Sequence, residues 1–532
     1  MNSCQPLYDR PAWWPLMLAS SGYITDTPYV PGFYANMAPI AMRHVAVLNR
    51  NVPPGRAGAF RYLELGCGLG RVFTTLAAAN PEAEFVGVDI NPVHTAFADR
   101  DIRAGRLANA RVLTLDFASL PEDLGRFDFI AVHGVLSWVS AEVREQLLAI
   151  CRAHLAPGGV LLVSYNAMPG WSHLQPIRGI LRQYASLRQG DAQQKARDAM
   201  AYLVLLRERQ AKYFLDNPAA AAYVDSLLHQ DVNYVAHEYL HDHWSTYYFS
   251  DVVEFFARAG VGYVGSLPAF QNFWEFCVRP EFHDLFRTSV SRLVSEAHKD
   301  ICANTAFRWD LYGLSCGLIG SVADRLACAD DILYRVARAG ITFPCQVNLG
   351  QVVSTVQGEP FESLTAVLSR SALRLSELMA APELSACDPD VLVTSLDAGV
   401  AMGLFEILAQ PMQELPAELP DQPHVAHPFN AHLLATEAFG DRPIALASRV
   451  SGSGYPVTGL DAAILHELTT AGSEVLEQRV LDGFRATGKT MNHNGQPVTD
   501  PNQMKSLIDQ ACRQVREVLV PQLMRLGVLV AP

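Results

Sequence analysis

The residues best spaced for chemistry lie between Phe60 and Asp89. Gly66, Gly68 and Gly70 fall on alternate positions, straight after the apolar run Tyr62, Leu63, Leu65 and beside the acidic Glu64. A second apolar run, EFVGVD, ends in Asp89. Strand, glycine turn, helix, strand, acid is the frame of a nucleotide-type cofactor site. Glycines let the backbone pass close to a ligand, and an acid at the second strand end can accept hydrogen bonds from ribose hydroxyls.

The spacing discriminates between cofactors. A dinucleotide fingerprint reads G-x-G-x-x-G and cradles a pyrophosphate. Here the pattern is G-x-G-x-G, with Glu64 two positions before the first glycine. A carboxylate there repels a pyrophosphate and suits a cationic ligand. S-adenosylmethionine carries a sulfonium and an ammonium group and no phosphate, so it is the expected cofactor.

Two further patterns match motifs whose context fails. His237-Glu238-Tyr239-Leu240-His241 reads H-E-x-x-H, the zinc-protease helix. Tyr247 stands where a third histidine ligand would be, so no metal is expected. Gly483 to Thr490 reads GxxxxGK[ST], but helical residues precede it and MNHNGQP follows, so ATP binding is not expected.

These residues need a scaffold. Strands are expected at 60–65, 84–89, 110–115, 127–132 and 159–164, separated mostly by helices at 70–79, 92–105 and 140–155. Alternating β and α segments imply a parallel, doubly wound sheet with helices on both faces. After Tyr165 the alternation breaks into a charged helical stretch, and it resumes with the helix FSDVVEFFARAG and the strand VGYVGSL. We therefore expect an N-terminal cap segment over 1–58, a core over 59–165, a helical insertion or lid over 166–246, and the rest of the core over 247–315. A helical or winged-helix-like regulatory domain is expected over 316–420 and a last domain over 421–532, both mostly helical. The insertion leaves the sheet at the carboxyl end of a strand, where ligands bind in open α/β sheets.

Composition narrows the partners. The 532 residues suit two to four domains, and half are hydrophobic. With 41 basic and 54 acidic residues the net charge is −13, which disfavours nucleic acid as a partner. No apolar run is long enough for a membrane span. PAWWPLMLAS is broken by two prolines, so export is not expected. Ten cysteines without a CxxC pair fit reduced thiols and a cytoplasmic location.

Several segments resemble one family. TDTPYVPGFYANMAP (25–39), YLELGCGLG (62–70), FVGVDINP (85–92), FDFIAVHGVLSWVS (127–140), APGGVLLVSYNAMPGW (156–171) and HEYLHDHWSTYYFSDVVEFFARAGVGYVGS (237–266) resemble bacterial class I methyltransferases with a methyltransferase regulatory domain. FRWDLY (307–312) and PIALASRVSGSGYPVTGL (443–460) are similar to later blocks of that family. The resemblance implies a Rossmann-like core and S-adenosylmethionine as methyl donor. Some members methylate lysines of outer-membrane proteins.

On that resemblance, Glu64, Gly66, Cys67, Gly68 and Gly70 should run along the methionine part of the cofactor. Asp89 should hold the ribose, with Ile90 against the adenine. Asp116 should bond the adenine amino group, and Phe117 should pack on the ring. Tyr29 belongs to a segment that could fold over the cofactor. His133 follows the fourth strand, a position that faces the reacting methyl in this fold, and could orient or deprotonate the acceptor. Tyr165 and Asn166, at the end of the fifth strand, complete the expected catalytic set. The function expected is N-methylation, with a protein lysine as acceptor. The alternatives are a small-molecule amine or hydroxyl, and a cofactor-binding regulator without catalysis. The acceptor's identity and the oligomeric state are not legible in the residues.

Overall fold

The structure, a computed structural model, describes residues 32–55, 59–440, 442–488, 492–493, 496–498 and 500–532. A seven-stranded sheet organises the first part of the chain. Its strands are β1 (Arg61–Leu65), β2 (Glu84–Asp89), β3 (Ala110–Thr114), β4 (Phe127–Val132), β5 (Leu155–Asn166), β6 (Val261–Ser266) and β7 (Phe307–Leu314), in the order β3-β2-β1-β4-β5-β7-β6. β1 to β5 run parallel, and β7 pairs antiparallel with both β5 and β6. The sheet is therefore mixed rather than wholly parallel. β7 returns between β5 and β6, and FRWDLYGL alternates cleanly enough to be read as a strand.

Both faces of the sheet are covered, which is why Tyr62, Leu63 and Leu65 of β1 are all buried although they alternate sides. On one face Tyr62, Phe85, Phe129 and Leu162 pack with Phe73 and Leu76 of the helix Arg71–Ala79 and with Met42 and Val45 of the helix Pro39–Leu48. On the other, Leu63, Val86, Ile130 and Val163 pack with Leu147 and Leu148 of the helix Ala141–His154 and with Val252 and Phe256 of the helix Phe249–Ala257. Strand order reverses between β1 and β4. That switch point opens a crevice at the carboxyl ends, beside the glycine turn.

The insertion folds around its own core. Helices Gln175–Ser186, Ala192–Glu208, Lys212–Asp216, Pro218–Leu227 and Val232–Tyr239 bury Ile177, Leu181, Leu203, Phe214, Val224 and Tyr239 together. Its two ends meet at the tip of β5, where Ala167 bridges Tyr247.

Beyond Leu314 the chain is mainly helical, with small antiparallel sheets. Leu333–Val336 lies between Leu373–Arg374 and Phe405–Leu408, and Ile444–Ser448 pairs with Ser453–Val457. The last hairpin packs on the helix Arg71–Ala79, where Asn80 Nδ2 donates to Gly452 O at 3.2 Å. Among the described residues no helix is long and apolar enough to cross a membrane.

Candidate active site

The glycine turn is built by backbone geometry. Gly66, Gly68 and Gly70 have φ of +73°, +53° and +77°, a region that side chains with a Cβ rarely adopt. A Cβ at Gly66 would come within 2.5 Å of Val135 Cγ2, whereas one at Gly68 would meet nothing within 4 Å. The backbone at Gly68 thus faces open space. Cys67 lies between them, and burial holds its thiol protonated, well above the usual range.

Asp89 ties the turn to the second strand. Its carboxylate accepts from Gly68 N and from Asn91 N, each at 2.8 Å. Each oxygen keeps lone-pair capacity for a further donor. Glu64 is buried at the end of β1, and its Oε2 has no hydrogen-bond partner among the described residues. Burial first, and then the charge of Asp89, push its carboxyl up to about 8. A buried carboxyl with an orphaned oxygen beside an open glycine turn fits the ammonium end of S-adenosylmethionine, and Asp89 fits its ribose. Ile90 follows, half-buried. At the end of β3, Asp116 is exposed and caps a short turn by accepting from Ala118 N at 2.6 Å, while Phe117 is half-buried. Tyr29 lies outside the described residues.

The sheet's carboxyl end carries an aromatic patch next to this turn. The ring of His133, after β4, stacks on Trp309 at 4.2 Å and 16°. Tyr34 meets the same imidazole edge-on at 4.2 Å, and the Phe307 ring lies 6.4 Å away. Phe307 and Trp309 share a face because they are two apart on β7. Desolvation lowers the His133 pKa to about 3, so the ring is neutral near pH 7. Ser164 Oγ accepts from Gly134 N at 3.1 Å and lies 2.7 Å from His133 Nδ1. With the Ser164 hydroxyl donating to Nδ1, the imidazole proton sits on Nε2. His133 is thereby arranged to orient a partner rather than to deprotonate one.

The two residues expected beside it part company. Asn166 lies on the same face of β5 as Ser164, and its Nδ2 donates to Glu238 Oε1 at 3.2 Å. Tyr165 points to the opposite face, fully buried, and its hydroxyl donates to Asp310 Oδ2 at 2.6 Å. Asp310 in turn is held by the buried Arg308, which also pairs with Asp300 and Glu296. Strand alternation turns the Tyr165 side chain into the core, away from the face that carries Ser164 and Asn166.

Residues that sequence reasoning left aside enter the site. Tyr34, Phe307 and Trp309 form the patch, and Glu238 joins it from the H-E-x-x-H stretch. The period-two alternation of FRWDLYGL was the available signal for Phe307 and Trp309; Glu238 stood out locally only within the H-E-x-x-H pattern. His237 belongs to the helix Val232–Tyr239, with its side chain outside the described atoms, and His241 is buried. In the second motif Gly483 lies inside the helix Leu476–Ala486, where a P-loop would have a strand end, and Lys489 and Thr490 lie outside the described residues.

Two family models match parts of the chain. Residues 63–161 match the model of a methyltransferase domain, and residues 231–313 match that of the predicted methyltransferase regulatory domain. The chain is an S-adenosylmethionine-dependent methyltransferase with this regulatory domain. The regulatory-domain match covers β6 and β7 of the methyltransferase, N-terminal to residues 316–420. An uncharacterized protein of Synechocystis is 23% identical over 91% of the methyltransferase and 92% of its own length. An uncharacterized protein of Rickettsia prowazekii is 32% identical over 29% of it, a stretch that is 62% of that relative. The structure of PKMT2 from Rickettsia typhi in complex with AdoHcy shares the fold, with a TM-score of 0.69 at 19% identity, covering 95% of this chain and all of that one.

Proposed function

We propose that this methyltransferase acts on the ε-amino group of a lysine in a protein. The observation that carries the reading is the aromatic patch. Tyr34, Phe307 and Trp309 surround a neutral His133 beside the cofactor turn. Electron-rich ring faces attract an alkylammonium through cation–π contact, and the lysine stem suits apolar walls.

When bound, S-adenosylmethionine supplies an already activated methyl, so the protein's task is positioning and exclusion of water. Glu64 would hold the ammonium end of the cofactor and Asp89 its ribose. The His133 ring would wall the acceptor site, held in place by Ser164 and by its stack on Trp309. The helical insertion supports a macromolecular acceptor, because its return segment is bonded to the loop after β4. Ser245 N donates to Ser137 O at 2.7 Å, and Tyr247 Oη donates to Leu136 O at 3.2 Å. A small metabolite needs only a pocket.

The test is incubation of the enzyme and tritiated cofactor with the lysate of a strain lacking the gene. Label in protein, recovered as methyl-lysine after hydrolysis, is the expected result. Label confined to small molecules would show a metabolite acceptor instead.

A further inference from the structure

We propose that Glu238 is the general base that removes a proton from the acceptor's ammonium group. The inference rests on the amine acceptor proposed above and names the group that prepares it.

An ammonium nitrogen has no free electron pair. A lysine side chain titrates near ~10.4, so only about one in 2,500 is neutral at pH 7. Aromatic faces attract the charged form and do not deprotonate it. His133 is a poor candidate for this step: its Nδ1 is engaged by Ser164, and its basicity is low. Among the residues around the patch, a carboxylate of raised basicity is what the chemistry requires.

Glu238 meets the geometric conditions. Asn166, whose amide holds Glu238 Oε1, is two residues along β5 from Ser164, a step of about 7 Å on the same face. Phe307 is the cross-strand neighbour of Asn166, and the residue remains 39% exposed. The backbone N–H of Asn166 donates to Ser137 Oγ at 2.9 Å, which fixes the loop that follows His133. Glu238 therefore borders the patch on the insertion side, and 8% of its surface stays open.

Its surroundings suit proton transfer. Burial pushes the carboxyl up to about 7, against the Asn166 amide, the nearby Trp244 indole and the Arg178 guanidinium, which favour the anion. Trp244 Nε1 itself stands outside hydrogen-bond geometry. The charged and titratable groups around Glu238 are Arg178 from Gln175–Ser186, Tyr223 from Pro218–Leu227 and Tyr239 from its own helix, with Asp242 acting on Arg178. In the step, one N–H bond of the ammonium breaks, the proton goes to the Glu238 carboxylate, and the electron pair stays on nitrogen. Glu238 later returns the proton to water at its open edge.

The test uses the whole enzyme with poly-L-lysine as the probe and tritiated cofactor. Glu238→Gln should lose ~100-fold or more in kcat/KM at pH 7, within the range for general bases. Near pH 10 it should recover to within about tenfold of wild type, because the amine there deprotonates unaided. Cofactor affinity by calorimetry should be unchanged, which also checks folding. Asn166→Ala removes a donor that holds the carboxyl down, so the acidic limb of its pH profile should move upward; this variant carries the test if Glu238→Gln fails to fold. An equal loss at both pH values, or no loss at pH 7, overturns the base. Poly-L-lysine left unlabelled by wild type overturns the lysine acceptor itself.

Discussion

Glu64 and His133 show how burial sets charge at single residues. Without cofactor the Glu64 carboxyl titrates at about 8, raised by burial and by Asp89. A cationic ligand favours the carboxylate, so binding below pH 8 must release a proton. Cofactor affinity should therefore weaken as pH falls from about 8 towards 6, and calorimetry in buffers of different ionisation enthalpy should detect the proton. In Glu64→Gln this dependence should vanish. Asp89→Ala removes the acceptor for Gly68 N and, on the proposed reading, for the ribose, and should weaken cofactor binding by more than ~1 kcal/mol. His133→Ala should lower kcat ~10-fold or more with little change in cofactor affinity, as expected for a group on the acceptor side. With its pKa near 3, His133 itself should contribute no titration limb between pH 5 and 8.

At the scale of elements, β5 divides two tasks between its faces. Ser164 and Asn166 face His133 and Glu238, while Tyr165 anchors the buried Asp310 and Arg308 network. Tyr165→Phe should consequently lower thermal stability, by about 1–3 kcal/mol for an orphaned buried acceptor, and leave turnover largely intact. Loss of turnover at unchanged stability would return Tyr165 to the catalytic set. The insertion meets the sheet at the strand ends and the loop after β4, and its return segment bonds Arg144 of the helix Ala141–His154. Hydrogen exchange over 166–246 should slow when cofactor is added, if this element closes on the site. Unchanged protection would leave it a fixed platform.

The whole molecule couples the C-terminal part to the cofactor turn. Arg71, the first residue of the helix after Gly70, pairs with Asp101 and with Glu437, and His432 Nε2 reaches Asp101 Oδ1 at 3.0 Å. Gly454 lies against the same helix, where a Cβ would come within 2.9 Å of Thr75 and Phe33. Gly454→Val should wedge this contact open, costing ~1–3 kcal/mol of stability and weakening cofactor binding. Thermal denaturation and calorimetry read the two effects separately. A loss of stability with full cofactor affinity would show that the C-terminal part supports the fold alone. Across the molecule, Arg442 reaches Asp231 at 3.2 Å, at the start of the helix that carries Glu238. The distal part thus touches both sides of the site.

The sequence by itself determined what depends on local patterning. β1, β2 and β4 start and end within a residue of expectation, because apolar runs bounded by turns and helix caps are local signals. The glycine turn with Glu64 and Asp89 was legible for the same reason: it occupies one continuous βαβ segment. Tertiary structure decided what depends on residues far apart in the chain. Whether Tyr165 or Asn166 faces the acceptor end is set by which partners cover each side of β5. Phe307 and Trp309 meet His133 only because β7 returns antiparallel beside β5. Glu238 lies 72 residues from Asn166, so no spacing rule connects them. A side chain's chemistry follows from its type, but its charge state and its reach follow from burial and contact, and those exist only once the chain has folded.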